Sequence, residues 1–172
     1  METLNTIAAE FEANTQNLLA WTDSLQPEQF ELRPAPGKWS VFEVLEHIFV
    51  VEKSATKLAR FAAEPVERDL EKSRNRMTRG MADLNQPFAG GSVIDPKGRF
   101  ASYPEWRAAF TANRSELLEL GGEKGWMGLC AEFPHPYFGH LTRAEWVLMS
   151  GIHANRHLAQ MLALKKRPPP PT

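Results

Sequence analysis

Trp146, Ser150, His153, His157, Gln160 and Leu164 step along the chain by four, three, four, three and four residues. That rhythm is the inward seam of a helix packed in a bundle. It constrains the fold more than any other feature, because two of the seam positions are histidines. A buried imidazole without a partner costs free energy. Two imidazoles one helical turn apart on one face can share a divalent cation. His47 occupies a seam position on another predicted helix, so the three histidines form a candidate set.

The patterning predicts four helices. The first runs from about Leu4 to Ser24, with Ile7, Phe11, Asn14, Leu18 and Trp21 on one stripe, and Gln26-Pro27 ends it. The second opens on a capping box, Ser40-Val41-Phe42-Glu43, after a loop marked by Pro34, Pro36 and Gly37. It places Val44, His47, Val51 and Leu58 on one line and stops before Pro65. The third starts at Ser102-Tyr103-Pro104-Glu105 and is expected to end at Gly121-Gly122. The fourth starts at Thr142-Arg143-Ala144-Glu145 and runs to about Lys165, with Lys165, Lys166 and Arg167 suiting the negative end of its dipole. No strand alternation stands out.

Between the second and third helices lies a polar stretch from about Pro65 to Ser102, which includes Gly90-Gly91 and Asp95-Pro96-Lys97-Gly98. It is read as a loop. A connection this long lets the chain return to the end it left, so helices two and three can run the same way. The expected fold is all-α: a four-helix bundle, up-down-down-up, with one long crossover between helices two and three. One bundle domain over 1–167 and a proline-rich tail over 168–172 are expected, since Pro168-Pro169-Pro170-Pro171 cannot continue a helix.

A formal net charge of −1 supplies no global field for nucleic acid or an anionic membrane. Arg68, Lys72, Arg74, Arg76 and Arg79 cluster in the crossover, but Glu64, Glu67, Asp69 and Glu71 dilute them into a solvated loop. The single cysteine, Cys130, excludes an intrachain disulfide, and no apolar run approaches the ~20 residues that span a bilayer. Without a secretory signal at Met1-Glu2-Thr3-Leu4-Asn5, a cytoplasmic location is expected.

Three histidines suit zinc, nickel, iron or copper, and three protein ligands leave positions open for water or substrate. His-Glu-x-x-His is absent, because Ala154 follows His153, and no Glu stands three before His153 or His157. Zincin protease and di-iron chemistry are therefore not indicated. Glu46 sits a quarter turn from His47 and reads as a solvated or interhelical partner rather than a base. Arg156 reads as an orienter of a carboxylate or substrate anion or, the more common use, as a structural ion-pair residue, and Gln160 as a neighbour able to support His157. His135 and His140 are loop candidates for the pocket mouth, Cys130 has no clear activating charge nearby, and Trp39 and Trp146 read as core.

Gly37-Lys38-Trp39-Ser40-Val41-Phe42-Glu43-Val44-Leu45-Glu46-His47, the stretch His135-Pro136-Tyr137-Phe138-Gly139-His140-Leu141-Thr142 leading into Glu145-Trp146, and His153-Ala154-Asn155-Arg156-His157-Leu158-Ala159-Gln160 together resemble the DinB/YfiT-like superfamily. The resemblance spans about Leu4 to Lys165 and is weakest in the crossover. It implies a divalent metal, zinc or nickel, on His47, His153 and His157, and a homodimer. It also implies a small-molecule substrate, with thiol transfer of the bacillithiol or mycothiol kind, or hydrolysis, as the reactions to expect; no catalytic side chain is indicated. The competing reading is a non-catalytic binding bundle whose histidines are structural.

Overall fold

Several helix starts in this chain are written as a short polar side chain with a partner three residues on, and the folded chain uses those at Ser40, Ser102 and Thr142. Ser40 Oγ accepts from the Glu43 N–H (3.2 Å) while the Glu43 carboxylate accepts from the Ser40 N–H (2.6 Å). Thr142 and Glu145 make the same reciprocal pair at 3.2 and 2.9 Å. A computed structural model describes residues 4–61, 64–84 and 93–165. Among these, α1 spans Leu4–Asp23, α2 Val41–Ala59, α3 Leu70–Gly80, α4 Tyr103–Lys124 and α5 Arg143–Lys165, with a 3-10 turn at Pro27–Glu31. Gly90-Gly91 and the proline tail lie outside the described residues.

Side-chain pairings fix the helix directions. Trp106 Nε1–H donates to the Leu45 carbonyl, Arg114 binds Glu52, and Arg60 binds Glu116. Partners advance together, so α2 and α4 are parallel. Asp23 meets Arg107 while Asn14 meets Arg114, so α1 and α4 are antiparallel. Asn14 pairs with Asn155, and Phe11 lies against Gly151, so α1 and α5 run the same way. Arg143 reaches the Ala59 carbonyl while His153 reaches His47, so α5 opposes α2. The bundle is up-down-down-up, as the long crossover predicts.

Three features depart from the sequence reading. The crossover is not all loop: Asp69 caps the short helix α3, whose Lys72 N–H it accepts at 2.9 Å. Leu70, Ser73 and Met77, on one face of α3, are buried. Lys72, Arg74, Arg76 and Arg79 of the basic cluster therefore ride on a helix, with Arg68 just before it. Gly121 does not end α4, which continues to Lys124 and stops where Gly125 turns to φ +84°. Gly121 instead admits the Trp126 ring, which a Cβ would meet at 2.7 Å. Finally, the segment before α5 forms an antiparallel hairpin of β1 (Leu129–His135) and β2 (Gly139–Thr142). β1 exposes four consecutive residues, so it lacks the period-two burial that marks a strand in sequence.

Between the helices, two apolar clusters form the core. One surrounds Leu18, Leu45, Ile48, Trp106 and Phe110; the other surrounds Phe11, Met77, Leu117, Leu141 and Met149. Charged groups span the helices among them. Arg114 and Glu52 are both buried and joined by two hydrogen bonds of 2.9 and 2.6 Å. Burial pushes the Glu52 carboxyl up, against the pull of Arg114. Arg114 also donates to Asn14 and lies 4.3 and 4.6 Å over the rings of Phe11 and Phe110. Arg143 donates to Ala59, Lys124 and Gly125 carbonyls, neutralising the C-terminal ends of α2 and α4 together.

Removing one member of a buried ion pair strands its partner in the interior. Arg114→Ala and Glu52→Ala should each destabilise the fold by about 3–5 kcal/mol in urea denaturation, and the double variant should lose less than the sum.

Candidate metal centre

The i, i+4 spacing on α5 puts His153 and His157 on one face, and the antiparallel packing of α2 brings His47 level with them. His153 Nε2 lies 3.2 Å from His47 Nε2 and 3.0 Å from His157 Nε2. One ring nitrogen from each residue falls within 4.8 Å of the other two. The structure thus brings together all three histidines singled out in the sequence. For comparison, tetrahedral bonds of about 2.0–2.1 Å to one zinc ion would hold the nitrogens roughly 3.3 Å apart.

Protons explain why this arrangement is compatible with a cation. His47 Nδ1 is 2.9 Å from the Ile94 carbonyl, which can only accept, so Nδ1 carries the proton and Nε2 turns a lone pair into the cluster. A hydrogen on His153 Nε2 could serve that lone pair. It cannot also serve His157 at 3.0 Å without being shared, and a second N–H there would meet the first. At most one proton satisfies three converging nitrogens. A cation receiving three lone pairs removes the conflict, leaving the protons of His153 and His157 on Nδ1. Both of those Nδ1 atoms are buried with no hydrogen-bond partner among the described residues.

Burial sets the charge of the rings. His47 is buried, and His153 and His157 are partly buried. Desolvation lowers the pKa of His47 despite the Ile94 carbonyl, and pushes His153 well below the usual imidazole range. Desolvation, reinforced by His47, takes His157 to about 3, although the Gln160 amide pulls the other way. All three are neutral near pH 7 and available as ligands.

The surrounding residues sort differently from the sequence reading. Trp39 is not simply core: its ring flanks His47 at 5.0 Å. Trp146 is buried, and His135 lies against it at 5.7 Å and on Phe138 at 4.8 Å. Burial lowers the His135 pKa to about 4, with Arg76 adding to it, and His135 in turn acts on His153. His140 is exposed. Gln160 donates to the Leu84 carbonyl (2.6 Å) and stands beside His157. Arg156 donates to the Met81 and Asp83 carbonyls just past α3, and while burial lowers its pKa, the Asp83 charge acts on it in the opposite direction. Cys130 is buried, which raises its thiol to about 11 and leaves it unreactive.

Glu46 is the residue most misread from sequence. It is buried, and its carboxylate accepts from the Lys97 and Gly98 N–H groups and from Arg99. Those donors hold it below the usual carboxylate range against the upward push of burial. The role of Ile94 has no signal in sequence, since a backbone carbonyl can come from any residue.

In the unfolded chain the histidines take up protons below about pH 6.5, whereas burial denies protons to the folded ones. The unfolded state then binds more protons, so the stability conferred by neutral burial is complete above pH 6.5 and is lost as pH falls. For metal-free protein, a group lowered as far as His157 should remove about 2 kcal/mol between pH 7 and pH 5 in urea titrations. His157→Phe should flatten that slope.

A profile of the DinB superfamily matches residues 10–161. The chain is 24% identical to the uncharacterized protein YuaE of Bacillus subtilis (strain 168) over 156 residues, covering 90% of this chain and 95% of YuaE. The crystal structure of TT2238, a four-helix bundle protein, superposes with a TM-score of 0.62 at 24% identity, covering 94% of this chain and 99% of that one. By the match over residues 10–161, the chain belongs to the DinB superfamily.

Proposed function

We propose that the protein binds one divalent metal ion, zinc or nickel, on Nε2 of His47, His153 and His157, and acts there on a small molecule. The observation that carries this is the convergence of three imidazole nitrogens at 3.0–3.2 Å around His153, where at most one proton can be placed. A core of structural histidines would pair each ring with a carbonyl or carboxylate. Only His47 is paired that way; the Nδ1 atoms of His153 and His157 have no such partner among the described residues.

When bound, such a metal lowers the pKa of a coordinated water or thiol and so supplies hydroxide or thiolate near neutral pH. The chain's own residues do the rest. Three neutral ligands leave the cation its full charge and leave coordination positions free. His153 and His157 keep part of their surface accessible, which gives a small molecule a way in. Trp39 beside His47 supplies an apolar wall. Cys130 is not the nucleophile, so the reacting thiol or water comes from outside the chain. Thiol transfer from a low-molecular-weight thiol and hydrolysis are the two reactions this site supports.

Protein purified without a histidine tag should carry near-stoichiometric zinc or nickel by elemental mass spectrometry, and His47→Ala should carry background. Adding the metal at a hundredfold excess over Kd should stabilise the metal-free protein by about 2.7 kcal/mol. Wild-type metal no higher than that of His47→Ala would sink the proposal.

A further inference from the structure

We propose that Glu46 is a positioning residue of the histidine site: it folds residues 94–99 into a strap whose Ile94 carbonyl aims His47. This rests on the metal-binding reading above and extends it to a residue that touches neither metal nor substrate. Glu46 and His47 are neighbours on α2, about a quarter turn apart. Glu46 faces the strap, while His47 faces α5.

The strap is tied to the carboxylate at several points. Glu46 Oε1 accepts from the Lys97 N–H at 2.7 Å and from Arg99 Nη1 at 2.6 Å, and Oε2 accepts from the Gly98 N–H at 3.0 Å. The same Arg99 nitrogen donates to the Asp95 carbonyl at 2.9 Å, closing the turn on itself. Gly98 sits at φ +69°, the left-handed conformation that the turn requires and that glycine adopts without strain. Phe100 packs edge-on against Phe49 at 4.9 Å, one turn farther along α2. The carbonyl next to this turn is that of Ile94, 2.9 Å from His47 Nδ1.

Fixing the turn therefore fixes the proton on Nδ1 and the lone pair on Nε2. Without it, His47 is free to put its proton on Nε2, where it blocks the site. A carboxylate is needed because the turn presents donors from two backbone amides and a guanidinium. An amide at position 46 would aim an NH2 group at some of them. Outer-shell partners of this kind change metal affinity by about 10- to 100-fold.

The test uses the full chain with ring-labelled histidine. In metal-free wild type, long-range proton–nitrogen spectra should show His47 protonated at Nδ1 and unprotonated at Nε2. In Glu46→Ala and Glu46→Gln the two tautomers should mix, and zinc affinity, measured by competition with a chromophoric chelator, should fall 10- to 100-fold. Arg99→Ala, which removes one donor from a part-exposed side chain, should move both readouts in the same direction by less. A core truncation of Leu117 to alanine should lower the melting temperature and move neither. The proposal is overturned if the folded Glu46 variants keep the wild-type tautomer and bind zinc within twofold of wild type. If wild type binds no zinc, the metal reading fails on its own, and the tautomer comparison still decides the role of Glu46.

Discussion

The parallel packing of α2 on α4 organises the rest of the molecule. Two adjacent parallel helices cannot be joined by a short turn, so the chain must travel back along the bundle before α4 begins. Trp106 on Leu45 and Arg114 on Glu52 hold the pair in register. A buried ion pair is expensive on its own. Here the cost is offset because Arg114 also satisfies Asn14 and Thr15 and lies over two aromatic rings. Through Asn14, the network extends to Asn155 on α5, two residues from His153. The return path then brings residues 94–100 past the first half of α2, where a carbonyl meets His47. Helix direction, crossover and site geometry are thus one constraint seen at three scales.

The Arg114 network and the histidine cluster show two ways to bury polar groups. Around Arg114 donors and acceptors match, as a structural network must. Around His153 they do not: three nitrogens face each other, and the Nδ1 atoms of His153 and His157 are buried without a hydrogen-bond partner among the described residues. Ser150, one turn before His153 on the same seam, is also buried, with no partner for its hydroxyl among the described residues. A fold that satisfies a guanidinium so thoroughly can satisfy an imidazole too. Among the described residues, buried side-chain polar atoms without a partner concentrate on α5, at Trp146, Ser150, His153 and His157, with Trp21 and Asn113 the others, and that concentration suits a place shaped for something besides protein.

Much of this was legible in the residues, and the reasons differ from element to element. Ser40/Glu43 and Thr142/Glu145 announce their helices because capping is local chemistry. The 4-3-4-3 stripe from Trp146 to Leu164 announces α5 because helix packing is periodic. The histidine set followed from the same periodicity, since a seam position tells which face a side chain takes. The illegible parts lack a period or a side chain. α3 is strongly polar and buries only Leu70, Ser73 and Met77 on one face, so its composition reads as loop. The hairpin exposes four residues in a row and pairs across a register shift, which erases alternation. Glu46 beside His47 looks solvated because the loop that covers it arrives from about fifty residues away. Gly121 looks like a stop because a helical glycine that admits a tryptophan ring and one that ends a helix are written with the same letter.

The three histidines of the proposed metal site are also held to different standards. His153 and His157 share one rigid helix, so their spacing is set by the helical repeat and needs little help. His47 comes from a different helix, and its ring must be aimed independently. Sites are only as good as their least constrained member, and a misplacement of an ångström is enough to spoil one. The backbone acceptor goes to the ring that most needs aiming: His47 has Ile94 behind it, whereas the outer nitrogens of His153 and His157 have no backbone partner among the described residues. The affinity of the site should therefore be governed at α2 and its strap rather than at α5, although α5 carries two of the three rings.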